Sequence, residues 1–369
     1  MNKITLEVIE DWDKLSLIAS EWDDLLVRAE GADFFVSWEW VDAWYRAGNR
    51  PSIYVIVLRD DDQRLIALAP LYISSLKLFG LLSYRCLRLL GDRHSGAEYQ
   101  CLIGDRSFTS ECYDLILKHL SQQAGDWDVI WLLKLPTWQN NERTFLQCVE
   151  NSKLESYGRN VEFAYLELPQ TVDAFWLSQS RSSRANKQRT ENRIPEDNNI
   201  SLVDSRDSSM PIYSQIETLF ELHQKRWQMT GRDGAFVRRP ALTLFFRYFI
   251  PLALERSWLR LYILEANGES VAVQMGLVFN KVFYVIQEGF DPGYIEGIGN
   301  LLRARVIEEC IREGLSEYDF LEGYTEHKRR WGAKMRVGQD VLIWNGNLRN
   351  FVFRWRKLWP SGRFLKQVD

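Results

Sequence analysis

Seven consecutive residues, Glu322-Gly323-Tyr324-Thr325-Glu326-His327-Lys328, bring a carboxylate, a phenol, an imidazole and an ammonium together. Each of these groups can move a proton. A solvated polar loop would have the same composition. Shortly upstream, Gly293-Tyr294-Ile295-Glu296-Gly297-Ile298-Gly299-Asn300 precedes a helical pattern from Leu301 to Arg312. Glycines let a backbone approach a phosphate, and a helix start offers unpaired N–H groups. Arg303 and Arg305 could add guanidinium charge. No Gly-Lys-Ser/Thr follows, so this is not a nucleotide P-loop, and it is not a dinucleotide fingerprint. A tight turn is the plainer reading. The segment Ser180 to Arg189 is basic and could meet an anionic substrate or simply face solvent. In His223-Gln224-Lys225-Arg226-Trp227, His223 and Trp227 lie four apart and share a helix face. A histidine there can equally be a packed core residue.

The elements that must hold these groups follow from pattern. Tyr284 to Ile286 reads as a strand before the glycine turn, and Tyr318 to Leu321 as a strand after the helix. Ile212 to Gln228 and Leu242 to Glu255 are predicted helices. Leu259–Glu265 and Ser270–Phe279 flank Asn267-Gly268, a strong hairpin signal. The first half repeats this grammar: Ile53–Leu58 and Leu65–Ile73 flank Asp60 to Gln63, and Ser37 can cap a helix over Trp38–Ala47. The parallel between VIVLRDDDQRLIALAPLYI and LYILEANGESVAVQMGLVF suggests a duplicated α/β unit. The boundary falls near Pro169, giving units 1–168 and 169–369. Strands alternating with helices give an α/β (α+β) fold with mixed, mainly antiparallel sheets flanked by helices.

Composition bounds the rest. A chain of 369 residues exceeds one ordinary core. Its net charge of −4 argues against DNA as a partner of the whole chain. Basic residues nevertheless gather at 181–193, 328–336 and 349–366. The five cysteines make no CxxC pair and no metal spacing with the four histidines. No metal is expected, and reduced, buried thiols in the cytoplasm are. The N-terminus lacks an apolar leader, and no run is long enough to span a membrane. Leu348, Phe351, Val352, Trp355, Leu358 and Trp359 form one stripe of a basic amphipathic helix over 348–359. Such a helix suits peripheral contact with the inner membrane face, or docking on the protein's own sheet.

HQKRW, a Gly-rich turn with Phe236, the strand pair, EGFDPGY…GIGNLL and YDFLEGYTEHKRRW together resemble the cellulose-biosynthesis-type (CelD-like) branch of the GNAT acyltransferases. That branch is similar to the Fem-type aminoacyltransferases, which carry two tandem GNAT units. The resemblance covers about 171–340, and FFVSWEWVDAWYRAG fits a degenerate first unit. It implies an acyltransferase with acetyl-CoA or another acyl-CoA as co-substrate and no permanently bound cofactor. Pantetheine would run along Tyr284 to Glu288, past Ile286 and Gln287, where the sheet splays. The pyrophosphate would sit over Gly297, Gly299 and Asn300, near Arg303. The acceptor would be a sugar, a sugar nucleotide or an envelope or exopolysaccharide precursor. Glu322 is the expected base, and Tyr324 or His327 the acid. Lys328 and Arg184 would hold acceptor anions, with His223, Arg226, Trp227 and Trp331 beside them. Tyr294 stands where the family's pyrophosphate loop carries Gln or Arg, and His327-Lys328 stands where the branch often has Tyr-Lys. The alternatives are a tRNA-dependent aminoacyl ligase and a non-catalytic scaffold of a polysaccharide-synthesis complex. Homo-oligomerisation is compatible with either.

Overall fold

The structure is a computed structural model; it describes residues 3–48, 50–78, 82–92, 95–196, 198–347, 350, 352–353 and the backbone of 365–368. In chain order the elements are β1 (Thr5–Ile9), α1 (Trp12–Ser16), α2 (Ala19–Arg28), α3 (Trp38–Arg46), β2 (Ile53–Arg59), β3 (Leu65–Leu78), β4 (Leu82–Leu89), β5 (Ile103–Gly104), α4 (Thr109–Gln122), β6 (Val129–Leu135), α5 (Asn140–Asn151) and β7 (Glu155–Glu167). They continue with α6 (Val172–Ser178), α7 (Arg181–Glu191), β8 (Ile200–Asp204), α8 (Ile212–Gln228), α9 (Ala235–Arg238), α10 (Pro240–Glu255), β9 (Leu259–Ala266), β10 (Glu269–Phe279), β11 (Val282–Phe290), α11 (Ile298–Arg312), β12 (Glu317–Glu322), α12 (Glu326–Arg329), β13 (Lys334–Trp344) and β14 (Leu365–Val368).

Two compact units emerge: residues 1–161 with 337–369, and residues 162–336. The sequence pattern drew one line at 168/169. The structural division is discontinuous because the last part of β13 returns to pair antiparallel with β6, Trp344 opposite Val129.

In the first unit, β1 to β4 form an antiparallel meander. Helix α4 then carries the chain to β6, which runs parallel to β4 through Cys86↔Val129 and Leu87↔Ile130. In the second unit, β8 to β11 form the meander. Helix α11 carries the chain to β12, parallel to β11, and β12 pairs antiparallel with β7. Each unit is thus a mixed, mainly antiparallel sheet flanked by helices, as the patterning implies, and the strand order repeats.

Local chemistry explains the elements. The Ser37 hydroxyl accepts the Trp40 N–H at 3.2 Å and starts α3. Asn267 and Gly268 both take positive φ, 51° and 83°, the turn whose twist matches a β9–β10 hairpin. Each unit buries its own core, around Ile116, Trp127 and Phe145 in the first and around Ile307, Phe283 and Tyr318 in the second. All five cysteines are buried free thiols. Among the described residues no helix is long and apolar enough to cross a membrane. The basic helix expected over 348–359 falls mostly outside the described residues; Phe353, within that span, is buried against Tyr84 and Trp344.

Candidate active site

The second unit opens where its two parallel strands part. β11 and β12 pair at Val282↔Glu317, Phe283↔Tyr318 and Tyr284↔Asp319, and the pairing ends there. On its other side β11 stays with β10, but the register skips Ile286 between Gln287 and Val285. Such a bulge twists a strand and re-aims its backbone groups. β12 turns away through Leu321 (φ 61°) and Gly323 (φ 91°). The Asp319 carboxylate holds this kink by accepting the Leu321 N–H at 2.7 Å, and it is paired with Arg336.

The polar run that drew attention in the sequence is partly scaffold. The Lys328 ammonium donates to the carbonyls of Phe320 (2.7 Å), Leu321 (3.2 Å) and Glu322 (2.6 Å). An ammonium has three donors, so these bonds engage all of them. The Thr325 hydroxyl accepts the Lys328 N–H at 3.4 Å and starts α12. That short turn delivers His327 towards α11.

A buried charge network fills the opening. Arg303, 6% exposed and projecting from α11, grips both carboxylate oxygens of Glu288 at 2.5 Å. Glu288 also accepts from Gln274, whose own carbonyl accepts the Tyr318 hydroxyl at 3.0 Å. Arg226 approaches the same carboxylate at 3.4 Å. Burial pushes the Glu288 carboxyl up, but Arg303, Arg226 and the hydrogen bonds outweigh it, so it lies below the usual range and stays ionised.

Arg303 Nη1 lies 2.9 Å from His327 Nε2, and Asn300 Oδ1, an acceptor, lies 3.2 Å from the same nitrogen, so Nε2 can bond to only one of the two. A guanidinium only donates, so Nε2 accepts and the neutral ring carries its proton on Nδ1. Burial, then Arg303, holds the His327 pKa down at about 4 against the partial pull of Glu288. His327 is therefore a neutral Nδ1–H donor at pH 7.

Two cavities meet at this point. One, of about 530 Å³, is walled by Trp227, Phe290, Ile295 and Leu302, with Glu288 and Arg303 among its polar groups. The other, of about 610 Å³, is walled by Ser182, Lys187, Arg189, Arg193, Arg330 and Trp331. Gly297, Asn300 and His327 border both. Gly297 takes φ 94°, and a Cβ there would stand 2.6 Å from Thr190 Oγ1; at Gly299 it would stand 2.7 Å from Phe290. Those glycines seat the start of α11 tightly against α7 and β11.

Glu288, Gly297, Gly299, Asn300, Arg303, Arg226, Trp227 and His327 thus come together around the first cavity, and Trp331 joins the second. Ile286, Gln287, Glu322, Tyr324 and Arg184 border neither, and Glu322 and Arg184 are exposed. Tyr324 lies beneath the Arg329 guanidinium. His223 is buried, accepts the Trp227 indole N–H at 3.0 Å and packs against Phe236. Sequence reasoning missed Gln274 and Tyr318, although Gln274 interrupts the apolar run Val-Ala-Val-Gln-Met, where a buried polar group must find partners. It also missed the stripe Ser182, Asn186 and Arg189, which helical phase along α7 could have revealed, and Arg193 just past its end.

Residues 181–329 match the acetyltransferase (GNAT) domain family, which makes the protein an acyltransferase; acyl-CoA is the co-substrate of that family. Among solved structures, FemX is similar at a TM-score of 0.60 and 10% identity, over 91% of this chain and 97% of that one. A conserved protein of unknown function from Bacteroides thetaiotaomicron is similar at a TM-score of 0.57 and 13% identity, over 92% and 100%. These likenesses establish the fold. A search of curated sequences finds no match.

Proposed function

We propose that the second unit transfers an acyl group from acyl-CoA to an amine or hydroxyl of a sugar, a sugar nucleotide or an envelope-polysaccharide precursor, in the manner of the cellulose-biosynthesis branch. The observation that carries this reading is the pair of cavities, one cationic and one largely apolar, that share the α11 start and His327. Phosphates of the donor suit the cationic cavity, where Lys187, Arg189, Arg193 and Arg330 gather beside a helix start. The acceptor suits the other. Transfer is direct: the acceptor's nitrogen or oxygen attacks the thioester carbonyl, the C–S bond breaks, and the acceptor's proton is lost as the thiolate takes one up. His327 is the catalytic residue of this scheme. Its Nδ1–H donates to the oxygen that gains charge, as a neutral imidazole can. Arg303 positions that ring. Glu322, outside both cavities, is a base only for an acceptor that extends past β12.

Calorimetry with acetyl-CoA and a thiol-release assay with amino-sugar acceptors test the reading. Micromolar binding with acceptor-dependent thiol release supports it; no CoA binding sinks it. A second reading, transfer of an aminoacyl group from charged tRNA, draws on the likeness to FemX along nearly the whole chain. Radiolabel passing from charged tRNA to an acceptor, with no use of acyl-CoA, would install it instead. A scaffold role would be favoured if cells carrying Gly299→Trp made normal amounts of polymer.

A further inference from the structure

The apolar cavity has an unusual rim. Met229 and Thr230 border it just beyond the end of α8. From there the chain runs through α9 into α10 with large apolar side chains facing solvent: Met229 is 63% exposed, Val237 55%, Leu244 45% and Tyr248 41%. The elements that carry them pack together. Phe236 of α9 packs on Phe220 of α8 and Phe246 of α10, and the Thr243 hydroxyl donates to the Phe236 carbonyl at 2.8 Å. Val237 and Leu244 each directly follow one of these joined residues, and Tyr248 lies one turn beyond Leu244 on the same face.

Three of the cations around them are paired: Lys225 with Glu221 and Asp291, Arg226 with Glu288, and Arg247 with Glu217. The positive excess comes from Arg232, Arg238 and Arg239, with Asp233 among them. Arg232, Arg238 and Arg239 are exposed. Exposed apolar side chains interleaved with arginines are what an anionic lipid surface binds: the chains enter the headgroup layer and the guanidinium groups meet its phosphates.

We propose that the surface formed by the end of α8, α9 and the outer face of α10 docks on an anionic lipid bilayer, so that the mouth of the apolar cavity faces the membrane. The acceptor class that follows is a glycan precursor carried on a lipid. This deepens the acyl-transfer reading and rests on it for the acceptor, but the docking itself does not.

Sedimentation with vesicles tests it, using the full chain and vesicles of equal parts phosphatidylglycerol and phosphatidylcholine. The protein should pellet with these, fail to pellet with pure phosphatidylcholine, and be released at about 0.5 M salt. Leu244→Glu with Tyr248→Glu should lower partitioning about tenfold. Arg238→Glu with Arg239→Glu should do the same. Both pairs alter exposed positions, and far-UV circular dichroism confirms their folding. No pelleting of the wild-type chain overturns the proposal, and so does undiminished pelleting of both variants, which would place the contact elsewhere, for example at 348–359. Vesicle binding without CoA binding defeats the acyl-transfer reading and leaves the docking standing. CoA-dependent transfer without vesicle binding does the reverse.

Discussion

The two units share a strand order and differ in what fills the gap between their parallel strands. In the first, Arg88 is fully buried and bonded to Asp92, which also accepts the Tyr72 hydroxyl at 2.8 Å, while the guanidinium lies 4.7 Å from the Trp131 ring. In the second, Arg303 reaches into the gap from the helix and holds Glu288 on one side and His327 on the other. The helix starts differ as well. The recess of about 420 Å³ at the start of α4 includes Glu30 and Glu111 with Arg106. The cavity at the start of α11 gathers Lys187, Arg189, Arg193 and Arg330 with Glu296 and Glu326, and within it Arg193 pairs with Glu296 and Arg330 with Glu326, while Lys187 pairs with Glu191. Backbone topology is thus common property. The balance of charge at the helix start and the partners of the buried arginine are what separate the two units.

The largest effects should come from the plugs. Arg303→Met leaves Glu288 ionised and buried without its main partner, which costs about 3–5 kcal/mol. Arg88→Met strands Asp92 and should cost a similar amount. Urea titration measures both. Adding Glu288→Leu to Arg303→Met should recover most of the loss, because a well-packed apolar pair replaces a buried ion pair at little cost. Among molecules that stay folded, only the Arg303 variant should lose acyl transfer. Equal loss in Arg88→Met would break the division of labour between the units.

Acid should expose a second difference. The His223 pKa is pushed down to about 4, by burial first and then by Arg226 and Arg238. Its unfolded value is about 6.5, so the unfolded chain binds the extra proton between the two values. Stability from this residue is full above about pH 6.5 and is lost as pH falls towards 4, by about 3 kcal/mol in all. His223→Gln should flatten that slope in denaturation curves measured from pH 7 to pH 4.5. An unchanged slope would place the acid sensitivity elsewhere.

His327 sharpens the comparison within the second unit. His327→Ala should lower kcat about a hundredfold, the usual cost of one donor to a developing oxyanion. The ring stands at the cavity walls rather than in the core, so Tm should move by no more than about 2 °C. Since the ring is already neutral well below pH 6, the acid limb of kcat should not show an ordinary histidine titration. An acid limb centred near pH 6.5 that disappears in the variant would make His327 a general base instead.

Much of this was legible beforehand. The Asn267-Gly268 hairpin, the helix over Ile212–Gln228 and the strand–glycine–helix–strand order of the second unit all follow from periodicity and turn chemistry. The candidate site was legible by residue type but not by direction. Glu322 to Lys328 read as a cluster because its members adjoin in sequence. A kink at Leu321 instead sends Lys328 into backbone carbonyls and His327 towards Arg303. Arg184 was chosen from a basic run whose cavity-lining members are Lys187, Arg189 and, just past the helix, Arg193. Arg303 drew notice as a phosphate ligand, while its partner Glu288 lies fifteen residues away on a strand. Only the fold joins those two.

The smallest effects should separate the two matching hairpins. The β9–β10 turn places Asn267 and Gly268 at positive φ. The β2–β3 turn places Gln63 there, at φ 61°, and compensates with the Asp60 carboxylate, which accepts the N–H groups of Asp62 (3.1 Å) and Arg64 (2.9 Å). A side chain in the left-handed region costs about 1 kcal/mol, and a glycine there avoids it. Gly268→Ala should therefore lose about 1 kcal/mol, whereas Gln63→Gly should gain about 0.5 kcal/mol, since added freedom in the unfolded chain offsets part of the relief. Opposite shifts in urea midpoint at unchanged slope would show that the first unit's turn tolerates a strained residue by side-chain bonding. Asp60→Ala should then cost more in the wild type than in Gln63→Gly, because only the strained turn leans on that carboxylate.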